Sequence, residues 1–367
     1  MSRKPPAPRP GSLGQGPSAL TFYADPYEDP ETGEPTAFGR FHRNWEDEEA
    51  LDVLSDRLGA GEITEKQALM QARKLEATTP YSLEIQSFIG NLLWTLDLKD
   101  EAAEVYERAY ARARAQIPAD FHGRIPWGEV DNRPFLRIAH GTLLGFMHRR
   151  EDEDALDEAQ ALATELLAWC PMDNLGVRFL RGDIAFLRGD YERARTFYLE
   201  GAHDAPAHWY QAALIAFREE DFVTACTYLR RGIAANPYMA EGLTGRTLLD
   251  EHHYRHLSNI NGPEWAIDYL ESPACDWTLE ETDFVDWVFN ASPVLRERAK
   301  LMALHEAITY EQDPDRRSLA AQQDWNFAGR LSHALSKKMV RRVTDRWGHQ
   351  IWPWERGSTF SAQTHLL

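Results

Sequence analysis

The feature that most constrains this chain is a spacing. In NLGVRFLRGDIAFLRGDYERARTFYLEGAHDAP, residues 174–206, Gly182 is followed by a Gly189-Asp190-Tyr191 turn, then Ala194, Tyr198 and Pro206. The next stretch, AHWYQAALIAFREEDFVTACTYLRRGIAANP, keeps the order with Trp209, Ala213, Glu220-Asp221-Phe222, Ala225 and Pro237. Earlier, SLEIQSFIGNLLWTLDLKDEAAEVYERAYARA places Ile89-Gly90, Leu93, Ala102, Tyr106 and Ala109 in the corresponding positions. PFLRIAHGTLLGFMHRREDEDALDEAQALATELLAWCP does the same with Gly141, Leu144, Ala159 and Pro171, and carries a longer turn between Arg149 and Leu156.

These residue types have a packing reason. A small residue at the crossing lets two antiparallel helices approach, and large residues fill the space above and below it. Glycine or a polar residue makes the turn, and proline ends the unit. One such hairpin cannot cover its own apolar face, so several must stack. The expected fold is all-α, a right-handed superhelical solenoid of antiparallel helix pairs.

Charge and composition narrow the function. The 367 residues are 43% hydrophobic and 27% charged, which is globular. A formal net charge of -18 sets most of the surface against a phosphate backbone, so nucleic acid is not an expected partner. No apolar run is long enough for a transmembrane segment, and MSRKPPAPRP lacks the apolar core of a secretory signal. Cys170, Cys226 and Cys275 form no close pair and read as small apolar residues in a reducing, cytoplasmic setting.

The units from about 84 to 237 resemble tetratricopeptide repeats, the 174–237 pair most closely. DNRPFLRIAHGTLL (131–144), NPYMAEGLTG (236–245) and PEWAIDYLESPACDW (263–277) are together similar to the repeat region of the suppressor-of-tumorigenicity-seven proteins and their bacterial relatives. The repeat resemblance implies a concave groove for a peptide or helix of another protein, and no catalytic residues. The paired Lys and Asn that hold a peptide C-terminus in chaperone-binding members are incomplete here, which disfavours chaperone docking.

The expected function is therefore a scaffold or adaptor. On the first helices of the repeats, Asn91, Arg137, Arg178, Arg181, Asp183, Tyr210 and Arg218 are the candidate partner contacts. Arg137, Arg178 and Arg181 would form a basic patch gripping carboxylates, and aromatic residues are frequent interface anchors. Trp94, Phe186 and Phe217 share the expected groove face, with Trp94 and Phe217 read as packing between repeats. A regulatory or inhibitory subunit acting on a separate enzyme or toxin is the alternative.

Catalysis finds little footing. There is no GxSxG, no phosphate-cradling glycine loop and no HExxH. His252 and His256 share a helix face at i and i+4 and would be the ligands of a metal-dependent hydrolase, but a polar helix end is the simpler reading. No cofactor is expected.

Four regions follow. Residues 1–40, rich in Pro and Gly, read as a disordered arm, with Phe22, Tyr23 and Tyr27 available to pin it to the body. Repeats fill 41–245, and degenerate helical repeats 246–322. In 323–367, Phe327, Leu331, Leu335, Met339, Val343 and Trp347 recur every four residues beside Lys337, Lys338, Arg341, Arg342 and Arg346. That pattern predicts a basic amphipathic helix capping the array. Trp352-Pro353-Trp354 beyond it would pack back or join an interface.

Overall fold

The computed structural model describes residues 20–28, 35–42, 49–245 and 258–355. Its described residues hold sixteen α-helices and four short strands, divided into two compact units, Met1–Arg178 and Phe179–Leu367.

Unit 1 carries α1 (Glu49–Gly59), α2 (Glu65–Thr78), α3 (Leu83–Thr95), α4 (Lys99–Arg114), α5 (Arg133–His148) and α6 (Glu153–Trp169). Successive helices pack as antiparallel hairpins, and the first helices α3 and α5 also touch each other. Side-chain caps set the starts. Thr64 and Gln67 form a capping box on α2, and Ser82 and Asp152 accept from the opening amides of α3 and α6.

One ring explains the glycine spacing. A Cβ on Gly90 or on Gly141 would stand 2.4 or 2.6 Å from the Tyr106 ring, so both glycines clasp that ring between α3, α4 and α5. Tyr106 then donates its hydroxyl to Asn91 Oδ1 at 2.7 Å.

Residues 20–40 are not an unstructured arm throughout. β1 (Thr21–Glu28) and β2 (Pro35–His42) form an antiparallel hairpin. Phe22 meets Phe41 and Phe121 edge-on at 5.1 and 5.2 Å, and Phe41, 1% exposed, lies on Phe135 of α5. The apolar pinning outweighs the local proline content.

Asn132 holds the same hairpin. Instead of capping α5, its side chain accepts from Phe41 N at 3.0 Å and donates to the carbonyls of Gly39 and Pro126. Asn132, Phe41 and Gly39 are buried, so the polar edge of β2 is satisfied within the protein.

Unit 2 continues from α7 (Val177–Leu187), whose first two residues belong to unit 1, through α8 (Tyr191–Gly201), α9 (Ala207–Arg218), α10 (Phe222–Ala235) and α11 (Pro237–Leu243). After residue 258 come α12 (Pro263–Glu271), α13 (Leu279–Asn290), α14 (Ser292–Tyr310), α15 (Pro314–Trp325) and α16 (His333–Met339), then β3 (Val343–Thr344) and β4 (Gln350–Ile351). Gly182 repeats the close approach, 2.5 Å from the Tyr198 ring.

The turns between paired helices share one geometry. Asp97, Gly189 and Glu220 all have φ between 59° and 75°. In each turn the next amide reaches back five residues: Leu98 to Leu93, Asp190 to Ala185, and Asp221 to Ala216. This is the paired-bond cap that closes a helix with a left-handed residue.

The C-terminal region is not one amphipathic helix. α15 stops at Trp325, a short 3₁₀ turn covers Ala328–Arg330, and α16 spans only seven residues before a two-strand hairpin. Gly329 weakens the helix, and Ser332 starts a new one by capping the Ala334 amide. Trp354, 2% exposed, drops into a cluster with Phe217, Phe222, Phe284 and Trp287, so the Trp-Pro-Trp motif packs back into the core.

Below it, Arg230, with its side chain 1% exposed, makes a paired contact with Glu297 and donates to Ser332 O and Ser336 Oγ. That network fixes α16 to α10 and α14.

Candidate functional site

In unit 1 the surface of the first helices follows directly from helical periodicity. On α5 every residue from 134 to 147 is buried except Arg137, His140 and Leu144, and His148 continues that line. On α3 the matching line is Glu84, Phe88, Asn91 and Thr95, with Trp94 beside it. Steps of three and four place each set on one face. Arg137 Nη1 bonds Glu84 Oε1 at 2.8 Å, and Trp94 meets His148 edge-on at 6.1 Å, so the two lines are neighbours.

The resulting stripe is mixed in chemistry. Phe88 and Leu144 are apolar. Arg137 lies over the Trp127 ring as well as beside Glu84. Burial pushes His140 down to about 4, so its imidazole is neutral near pH 7. Asn91 is exposed, and with Oδ1 engaged by Tyr106 its amide nitrogen has no partner among the described residues.

The corresponding face of unit 2 differs. Tyr210 through Phe217 on α9 are all buried, including Gln211 at 1% exposure. The side that carries Gln211 is covered by the chain's own irregular segment Ser272–Thr278, between α12 and α13. Gln211 Nε2 donates to Ala274 O at 2.6 Å, and Arg218 Nη2 donates to Asp276 O. Arg218 Nε reaches Glu281 Oε1 at 2.7 Å, and Ser272 lies beside Asp183. Ala274 is fully buried among Ala185, Phe186, Ala212 and Ile215.

Polar bonds knit this contact together. Tyr198 donates to Asp183 Oδ1 at 2.8 Å, and Trp277 Nε1 donates to Tyr269 Oη at 2.7 Å. Burial raises the Asp183 carboxyl to about 6 and the Cys275 thiol to about 12.

The sequence-derived contacts therefore separate. Asn91 and Arg137 lie on the open stripe of unit 1. Tyr210 is no surface residue: it is fully buried, and its hydroxyl donates to Asn236 O at 2.7 Å. Asp183 and Arg218 hold the 272–281 segment. Arg178 pairs with Asp173 at 3.1 Å, Arg181 stacks on Phe197 at 3.9 Å, and Arg137 pairs with Glu84. Each of these three arginines has its own intramolecular contact.

Phe88, His140, Leu144 and His148 share this face and are not among the sequence-derived candidates. Their signal was the three-and-four spacing on the two first helices, read together instead of one unit at a time. His252 and His256 lie outside the described residues, and no group of three or more metal-ligating side chains occurs among the described ones.

The fold and this face define a protein of stacked helix hairpins. The family model for the tetratricopeptide repeat matches residues 83–116, which are α3 and α4 with their turn. Residues 83–116 thus match a tetratricopeptide repeat, and the helix hairpins stacked around them share its plan. The match falls on the hairpin whose Gly90 clasps Tyr106. A search of curated proteins gave no match. No described helix is long and apolar enough to cross a membrane.

Proposed function

We propose that this protein is an interaction adaptor, acting by binding and not by catalysis, and that a segment of a partner protein lies along the stripe of α3 and α5. The observation that carries this reading is the cis contact in unit 2. There the first helix of a repeat receives an irregular chain segment through side-chain donors to main-chain carbonyls, with a small apolar residue buried between them. The unit 1 stripe offers the same kinds of groups with no chain of its own described over Asn91. Asn91 supplies an amide donor as Gln211 does, and Phe88 and Leu144 supply apolar anchors flanked by polar groups.

The test begins with affinity purification from the native host and identification of the bound protein. Its binding segment is then titrated against wild type and against a Thr95→Arg, His148→Glu double variant, both positions lying at the edge of the stripe. We expect at least about a tenfold loss of affinity, about 1.4 kcal/mol. Equal affinity for both proteins would remove the stripe from consideration.

A further inference from the structure

The end of α16 and the C-terminal hairpin that follows it present a run of cations in an acidic protein. Between residues 337 and 349 stand Lys337, Lys338, Arg341, Arg342 and Arg346, against the single acid Asp345. All five cations are exposed. The one carboxylate is already engaged: Asp345 accepts from the amides of Trp347 and His349, both at 2.8 Å, and contacts His349 Nδ1. None of the five has a carboxylate partner among the described residues. Elsewhere in the molecule arginines pair with acids, as at Arg137, Arg149, Arg178, Arg218 and Arg230.

The hairpin is anchored to the core on both sides and carries an apolar apex. Val340 and Trp354 on either side of the hairpin are buried, and Arg342 donates to Gln350 O while lying 4.6 Å over Trp352. At the turn Trp347 is 62% exposed, with Arg346 stacked 4.0 Å over its ring. A tryptophan flanked by unpaired cations on a fixed hairpin combines the residue types that dominate interface energetics.

We propose that this hairpin is a second interaction surface, separate from the unit 1 stripe, and that it takes a short acidic segment of a partner protein. The size of the occupant follows from the charge distribution. A nucleic acid or an anionic membrane extends beyond the cluster and meets the rest of a chain whose formal net charge is -18. Those charges repel over a screening length of about 8 Å at physiological ionic strength. A segment of a few acidic residues touches the cations alone and uses Trp347 as its apolar anchor. Base stacking is less suited to Trp347, because Arg346 already covers one face of its ring.

The experiment uses the full chain and three probes: a fluorescent peptide with six glutamates around one leucine, its glutamine counterpart, and a single-stranded oligonucleotide of similar length. We expect saturable binding of the glutamate peptide that weakens with salt, and none of the glutamine peptide. The Lys338→Glu, Arg341→Glu, Arg346→Glu variant should lose at least tenfold in affinity. Trp347→Ala should weaken binding severalfold with the salt dependence kept. Circular dichroism and the thermal midpoint of each variant establish that it is folded, and the matching glutamine substitutions serve as a milder series. Undiminished peptide binding by the folded charge-reversed protein overturns the proposal. So does tighter binding of the oligonucleotide than of the peptide.

Discussion

A methyl group at Gly182 would stand 2.5 Å from the Tyr198 ring, and one at Gly90 would stand 2.4 Å from Tyr106. Both rings are buried and hydrogen-bonded, so neither has room to retreat. Gly182→Ala is expected to destabilise the protein by about 2–3 kcal/mol, measured by urea unfolding, although alanine is the better helix former. Asp183 gives a prediction in pH. Burial raises its carboxyl to about 6, so the folded chain holds that proton more tightly than the unfolded chain. The stability this contributes is complete below about pH 4 and is lost as pH rises through 6. Asp183→Asn keeps an acceptor for the Tyr198 hydroxyl and cannot ionise. The variant should gain on wild type by about 2 kcal/mol between pH 4 and pH 7. The comparison isolates Asp183, because His140 and His208, pushed down to about 4 by burial, act in the opposite sense in both proteins. An unchanged difference across that range would contradict the assignment.

At the scale of elements, the helix turns carry a correctable cost. Gly189 occupies a left-handed position at no steric penalty, but Asp97 and Glu220 take the same conformation with a side chain. Asp97→Gly and Glu220→Gly should each stabilise the protein by about 0.5–1 kcal/mol, read as a higher denaturant midpoint. A drop in the midpoint would mean that these side chains do more than turn the chain. The C-terminal elements make a second case. The four-residue period from Phe327 to Trp347 is real, yet Gly329 and the Ser332 cap divide the segment. Trp354 then supplies the burial that a continuous helix would have supplied. Trp354→Ala is expected to cost about 3–5 kcal/mol and to expose β3 and β4 to hydrogen exchange.

At the scale of the molecule, unit 2 holds an irregular segment of its own chain, Ser272–Thr278, against α9. Arg218→Ala leaves Glu281, itself 5% exposed, without its cation, and Gln211→Ala removes the donor to Ala274 O. The double variant should lose about 3 kcal/mol or more and show faster amide exchange at residues 272–278 than at α9. Uniform exchange across unit 2 would instead show that the segment and the helices open together. Loss of the segment is not expected to change binding at the unit 1 stripe or at the basic hairpin, since neither uses residues of this contact.

The sequence by itself determined the hairpin repeat, because its cause is local: a glycine sixteen positions before a tyrosine, a turn residue, a cap and a terminating proline act within one unit. Asn91 and Arg137 were legible as surface positions for the same reason. What only the tertiary structure decided was which of those positions stay open. Tyr210 and Asn91 occupy first helices of repeats and look alike along the chain. Tyr210 is buried because its ring packs against Gly232 of α10 and its hydroxyl reaches Asn236 O, and Asn91 is exposed because none of the described chain covers it. The strands at 21–42 were illegible for a related reason, since their stability comes from Asn132, Phe121 and Phe135, far away in sequence. Packing between distant segments leaves no periodicity to read.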